Sequence, residues 1–167
     1  MTKLLFLDVD GVLNSQATWE AMVAGHGCHK SGDEAVCPEL MARVNRLIEV
    51  SGAQVVICSS WRFNSVTRTA ELFKKRGLVG RVIGCTPRLE NYKNGMYQGR
   101  VRGDEIQAWL DSYITPRRPV EAFVIIDDND EMSTVKGHLV LTDADVGITD
   151  ADVERALQIL GVPVNVG

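Results

Sequence analysis

No apolar run in the 167 residues comes near the ~18 needed to cross a bilayer, which excludes a membrane-spanning helix. Cysteine is scarce and scattered, with four residues at positions 28, 37, 58 and 85. That is no disulfide framework, and a reducing cytoplasm is the expected compartment. The opening Met1-Thr2-Lys3 leads into an apolar run too short for a secretory signal. Internal repeats, low-complexity tracts and linkers are missing, so one domain over residues 1–167 is expected. No strong excess of one charge exists either, since the net charge is -4. The charges are nevertheless segregated. Arg62 to Arg102 holds ten Lys/Arg against two Asp/Glu, a balance of +8, which leaves -12 for the rest. This segment reads either as a solvated helix face or as a basic flank for an anionic substrate.

Against these absences stand five short apolar runs: Leu4–Leu7, Gln54–Cys58, Arg81–Gly84, Ala122–Ile126 and His138–Leu141. Several are continuous in Val and Ile, the pattern of strands buried on both faces. Helical stripes separate most of them. Pro38 opens one that carries Leu40, Val44, Leu47 and Ile48 and ends at Gly52. Val66, Ala70 and Phe73 form another, and Ile106, Trp109 and Leu110 a third. The last starts at Thr149, with Asp152 completing a capping box. Strand and helix in alternation predict an α/β, Rossmann-like, mainly parallel five-stranded sheet with helices on both faces. Ser15–Val36 and Cys85–Gly99 read as largely irregular. Ala17–Ala24 is a short-helix candidate, and Asn94-Gly95 is a hairpin-turn signal.

In an open parallel sheet, ligands bind beyond the carboxyl ends of the strands. The first strand ends in Asp8-Val9-Asp10-Gly11, the second in Ser59-Ser60-Trp61-Arg62 and the fourth in Asp127-Asp128-Asn129-Asp130. Carboxylates gathered at one edge repel one another unless a cation holds them. A hard divalent ion with oxygen ligands does so, and Mg²⁺ fits best because it shares its site with phosphate. Read instead as turn formers and caps, these acids would need no ion. Two acidic pairs, each behind a buried strand, argue for the site.

The run Leu5-Phe6-Leu7-Asp8-Val9-Asp10-Gly11-Val12-Leu13 resembles the first motif of the haloacid dehalogenase (HAD) superfamily of phosphohydrolases. Ser59 or Ser60 matches the second motif and Asp127-Asp128 the fourth. Arg102, with Arg100 as the alternative, stands where the third motif usually has Lys. The form Ser60-Trp61-Arg62, with the later Arg102-Gly103-Asp104-Glu105-Ile106 and Asp127-Asp128, is similar to the phosphatase domain of bacteriophage polynucleotide kinase and to HAD modules of RNA-repair proteins. The resemblance implies a Mg²⁺-dependent phosphatase in which Asp8 attacks phosphorus to form an aspartyl-phosphate. It implies that Asp10 is the general acid and base. Asp8, the Asp10 carbonyl, Asp127 and Asp128 would hold the metal. Gly11, Ser59, Ser60 and Arg102 would hold the phosphoryl group, and Arg62 either binds substrate or pairs with a nearby carboxylate.

The gaps Asn14–Pro38 and Cys85–Gly99 are too short for a full cap domain, so an open site with a minimal or absent cap is expected. An open site suits a nucleotide or a nucleic-acid end. Arg88 and Lys93 would lie on a loop facing it, and Trp61, Tyr92 and Tyr97 could stack on bases or pack as ordinary residues. A small sugar or metabolite phosphatase and a non-catalytic binding module are the rival readings. His26, Cys28, His29 and Cys37 are candidate zinc ligands at an unfamiliar spacing, with free loop residues the plainer reading. Asp143, behind the fifth strand, is a candidate for the rim of the site.

Overall fold

The apolar runs become parallel strands because each is sealed from water on two sides. In the computed structural model, the described residues are 2–26, 36–90, 92–93, 96–97 and 101–163. In chain order they form β1 (Thr2–Leu7), α1 (Gln16–Val23), α2 (Pro38–Ser51), β2 (Gln54–Ile57), α3 (Val66–Lys75) and β3 (Val82–Cys85). Then follow β4 (Tyr92–Lys93), β5 (Met96–Tyr97), α4 (Arg102–Tyr113), β6 (Val120–Asp127), a 3₁₀ turn (Ser133–His138), β7 (Leu139–Leu141) and α5 (Asp150–Ile159). Five strands make one all-parallel sheet in the order β3-β2-β1-β6-β7, as the alternation predicts.

Period two along β1 divides its side chains between two cores. Leu5 and Leu7 point to the side of α2 and α5, packing with Val44, Leu47, Val153 and Ala156. Leu4 and Phe6 point to the side of α4, packing with Ile106, Trp109 and Leu110. Local signals set the helix ends. Pro38 stands at the first position of α2, and Gly52 closes that helix at φ 68°. The Thr149–Asp152 capping box is formed. The region after Ser15 is more regular than its composition suggested, because Ser15 and Thr18 form a second capping box at the start of α1. The Asn94-Gly95 turn signal lies outside the described residues; β4 and β5 on either side of it pair antiparallel. Among the described residues, α1 is the one element between β1 and α2, and the β4–β5 hairpin is all that lies between β3 and α4.

The register is what makes the site. Leu7 pairs with Ile57 on one side and with Ile126 on the other. The next residues, Cys58, Asp8 and Asp127, therefore stand in one row across three neighbouring strands, on the α4 side of the sheet. No helix among the described residues is long and apolar enough to cross a membrane.

Candidate active site

The row at the sheet edge places Asp8 and Asp127 side by side, 3% and 0% exposed. Asp128, the next residue, is exposed and completes a cluster. One carboxylate oxygen from each of Asp8, Asp127 and Asp128 lies within 4.8 Å of the others. Gly11 makes room for this. Its φ is 71°, and a Cβ there would lie 2.5 Å from Asp128 Oδ2.

Among the described residues, one cation faces the cluster. Arg102, at the start of α4, brings Nε to 3.2 Å from Asp127 Oδ2 and Nη2 to 3.4 Å from Asp8 Oδ1. It arrives there because Gly103 lets the helix begin against the loop behind β6. The Gly103 N–H donates to the Glu131 carbonyl at 3.1 Å, and a Cβ on Gly103 would run into the Met132 carbonyl. Of the two third-motif candidates, Arg102 is the one found at the cluster among the described residues. Arg100, the alternative, lies outside the described residues.

A single guanidinium does not balance three carboxylates. Burial and repulsion from Asp8 push Asp127 up to about 7, against the partial relief of Arg102 and the Asn129 N–H. Burial likewise raises Asp8, opposed by Arg102, by the Val9 N–H and by a hydrogen bond from Ser59. Asp128 is raised too, chiefly by desolvation. Asp8 Oδ1 is buried and accepts no hydrogen bond. Two buried carboxylates and one exposed one, under-neutralised and with one Asp8 oxygen accepting no hydrogen bond, make a set of hard oxygen donors that fits Mg²⁺.

Asp10 is placed differently. Its carboxylate is exposed and has two donors of its own, Trp61 Nε1 to Oδ2 at 2.9 Å and Asn14 Nδ2 to Oδ1 at 2.9 Å. Asn14 Oδ1 in turn accepts the Gly11 N–H at 3.0 Å, and Thr142 Oγ1 donates to the Gly11 carbonyl at 2.9 Å. Asn14 and Thr142 are site-shaping residues that sequence reasoning missed. Only the position of Asn14, four residues past Asp10, hinted at one of them.

The two serines part company. Ser59 is buried, with its hydroxyl at Asp8 and accepting the Trp61 backbone N–H at 3.2 Å. Ser60 is exposed and lines a cleft of about 190 Å³ with Arg102 and Asn129.

Arg62 lies at the same cleft but is 4% exposed, and all five of its N–H groups are engaged. Nε donates to the Thr86 carbonyl, Nη1 to the Cys58 and Ser59 carbonyls, and Nη2 to the Pro87 carbonyl and Glu105 Oε2. The pair with Glu105 is 2.7 Å long and buried on both sides. Glu105 Oε1 also accepts the Leu89 N–H at 3.0 Å. This is the carboxylate pairing weighed for Arg62, and it leaves no N–H for a phosphate. Arg88 is tied as well, donating to the Ser60 and Arg62 carbonyls at 3.0 and 2.8 Å.

The remaining candidates lie apart or outside. Asp143 is exposed and accepts the Asp145 N–H at 2.9 Å, closing a turn. His26 is exposed, and Cys28 and His29 lie outside the described residues. Cys37 is disulfide-bonded, so it offers no thiolate to zinc, and the expectation of unbonded cysteines fails there. Cys58 and Cys85 are free. The side chains of Tyr92, Lys93 and Tyr97 are outside the described part.

A family model for the HAD domain in Swiss Army Knife RNA repair proteins matches residues 4–153. The chain belongs to that HAD family. The match runs from the first strand into α5 and includes each strand end that carries an acid or serine of the site. No curated protein and no solved structure matches the chain. Family and geometry agree on a HAD-type phosphohydrolase domain with an acidic cluster at the strand ends.

Proposed function

We propose that this protein is a Mg²⁺-dependent phosphatase that works through an aspartyl-phosphate on Asp8 and acts on a phosphate ester of a nucleotide or nucleic-acid end. The observation that carries the reading is the division of the acids. Asp8, Asp127 and Asp128 converge on one point with Arg102, while Asp10 has two donors of its own, Trp61 and Asn14. One set is suited to gather a cation and a phosphoryl group, and the other acid is oriented by donors of its own.

Asp8, next to the hydroxyl of Ser59, attacks phosphorus in line, and the bond to the leaving oxygen breaks. Arg102 neutralises charge on the equatorial oxygens, with Ser60 and the backbone after Gly11 as further donors. Asp10 gives a proton to the leaving oxygen, then takes one from the water that cleaves the acyl phosphate, which restores both acids. Bound Mg²⁺, held by Asp8, Asp127, Asp128 and the Asp10 carbonyl, would screen the repulsion between carboxylate and phosphate. Arg62 takes no part in binding substrate in this scheme, because its donors are committed.

The substrate class rests on the family's RNA-repair setting, on the short gaps where a cap would stand and on the +8 segment. A cytoplasmic location belongs to the same proposal, consistent with the free Cys58 and Cys85, though not with bonded Cys37. The deciding experiment is a panel of 3′- and 5′-phosphorylated oligonucleotides, mononucleotides and sugar phosphates, assayed with Mg²⁺ and with EDTA. Oligonucleotide hydrolysis that vanishes in EDTA and falls steeply with salt supports the proposal. Preference for sugar phosphates, with no salt effect, transfers the site to small metabolites. Full activity in excess chelator removes the metal from the scheme.

A further inference from the structure

Asp10 is an exposed carboxylate, yet neither of its oxygens is free to wander. Trp61 Nε1 and Asn14 Nδ2 each hold one oxygen at 2.9 Å. Two donors on two oxygens fix both side-chain torsions of an aspartate that would otherwise sample several rotamers in water. Each oxygen keeps a second lone pair, so the clamp leaves it able to exchange a proton with a bound ester.

The Trp61 donor is itself held from two directions. Its ring packs against the core on the α2 side of the sheet, and the Arg76 guanidinium lies 5.0 Å from the ring centroid. Its backbone N–H donates to Ser59 Oγ. One residue therefore connects the serine beside Asp8 to the carboxylate of Asp10, across a separation of 51 in sequence.

We propose that Trp61 is a positioning residue: with Asn14 it fixes the orientation of the Asp10 carboxylate beside the Asp8–Asp127–Asp128 cluster and couples that acid to the loop carrying Ser59. The inference rests on the role given to Asp10 under the proposed function. It explains how two acids two residues apart take different tasks. Without the clamp, Asp10 is free to turn toward the cluster or into solvent, and displacement of a catalytic group by about 1 Å can cost on the order of 100-fold in rate.

Trp61→Phe keeps the ring and its contact with Arg76 and deletes the indole N–H. The readout is kcat/KM with Mg²⁺ on two phosphates, an alkyl ester whose leaving group needs a proton and an aryl ester whose leaving group does not. We expect a loss of about tenfold or more on the alkyl ester and less than about twofold on the aryl ester. Asn14→Ala, which leaves Trp61 intact, should show the same selectivity and guards against a folding defect in the first variant. Equal losses on both esters, or no loss on either, overturn the proposal.

A second measurement does not depend on turnover. The indole N–H resonance of Trp61 should move upfield in Asp10→Ala, while those of Trp19 and Trp109 stay in place. An unmoved Trp61 resonance overturns the clamp. A wild-type protein that hydrolyses neither ester overturns the proposed function, and with it the catalytic purpose of the clamp. The resonance then still reports whether the clamp exists, so the two failures are distinguishable.

Discussion

Two buried arginine–carboxylate clusters flank the first turn of α4, and they are built on opposite principles. In one, Arg62 and Glu105 satisfy each other and the surrounding backbone, so that five guanidinium donors meet five acceptors and both Glu105 oxygens are occupied. In the other, Arg102 faces Asp8 and Asp127 with Asp128 close by, and Asp8 Oδ1 accepts no hydrogen bond. The first cluster is complete without a ligand and locks the loops after β2 and β3 to α4. The second has more negative charge than the protein neutralises. Burial of charge does not by itself mark a site, whereas a surplus of it does.

The largest expected effect comes from removing the surplus. Asp8→Asn should lower phosphatase activity by on the order of 10⁴ or more, because the nucleophile is lost. The same change relieves repulsion on Asp127, so the metal-free protein should unfold at a higher temperature than wild type. Reduced stability together with retained turnover would erase the contrast between the clusters.

Breaking the complete cluster should act on stability instead. Glu105→Ala leaves Arg62 charged and unpaired in the interior, at a cost of about 3–5 kcal/mol in denaturant unfolding. A loss below about 1 kcal/mol would mean that the backbone carbonyls alone hold Arg62.

Next is the effect of pH. Burial and the neighbouring Asp8 push Asp127 up to about 7 in the folded protein, against 3.8 for an ordinary aspartate. Between those values the folded state holds a proton that the unfolded chain has released. The contribution is therefore fully present below about pH 4 and is lost as pH rises through about 7, on the order of a few kcal/mol. Thermal unfolding of metal-free protein should show that decline, and Mg²⁺ should oppose it most above pH 7. A flat profile between pH 4 and 8 would place Asp127 among ordinary acids.

The smallest effect tests how the two clusters share α4. Gly103→Ala puts a methyl group into the Met132 carbonyl and should push the first turn away from the loop behind β6. A stability loss of about 1–3 kcal/mol is expected, with a larger fractional fall in activity because Arg102 moves with the turn. Unfolding curves and kcat measured on one preparation would separate the two.

Much of this was legible in the sequence. The apolar runs and stripes that predict β1, β2, β3, β6 and β7 and the four longer helices are local patterns, and so are Gly52 and the Thr149–Asp152 box. The acids of the site were legible because strand ends in a parallel sheet share one edge. What stayed hidden depends on partners brought from afar. Nothing near Trp61 announces that its indole meets Asp10, and nothing near Glu105 announces Arg62. A buried, fully bonded arginine and a substrate-binding one carry the same letter, and only the count of occupied donors tells them apart. The short-helix candidate Ala17–Ala24 falls on α1 but starts one residue late, for a nearer reason. Its residues are polar or exposed, so hydrophobic periodicity had little to register, and the Ser15–Thr18 cap went unweighed.

The row formed by Cys58, Asp8 and Asp127 also has a consequence in time. β1 is synthesised well before β6, its neighbour on one side, where Leu7 meets Ile126. At roughly 5–20 residues per second, synthesis takes on the order of ten seconds to travel from one partner to the other. Throughout that interval Asp8 has no Asp127 to repel it, and Arg102 is already made before Asp127 joins the cluster. A chain halted before β6 would carry Asp8 in an incomplete sheet, without the Asp127 and Asp128 carboxylates that complete its cluster.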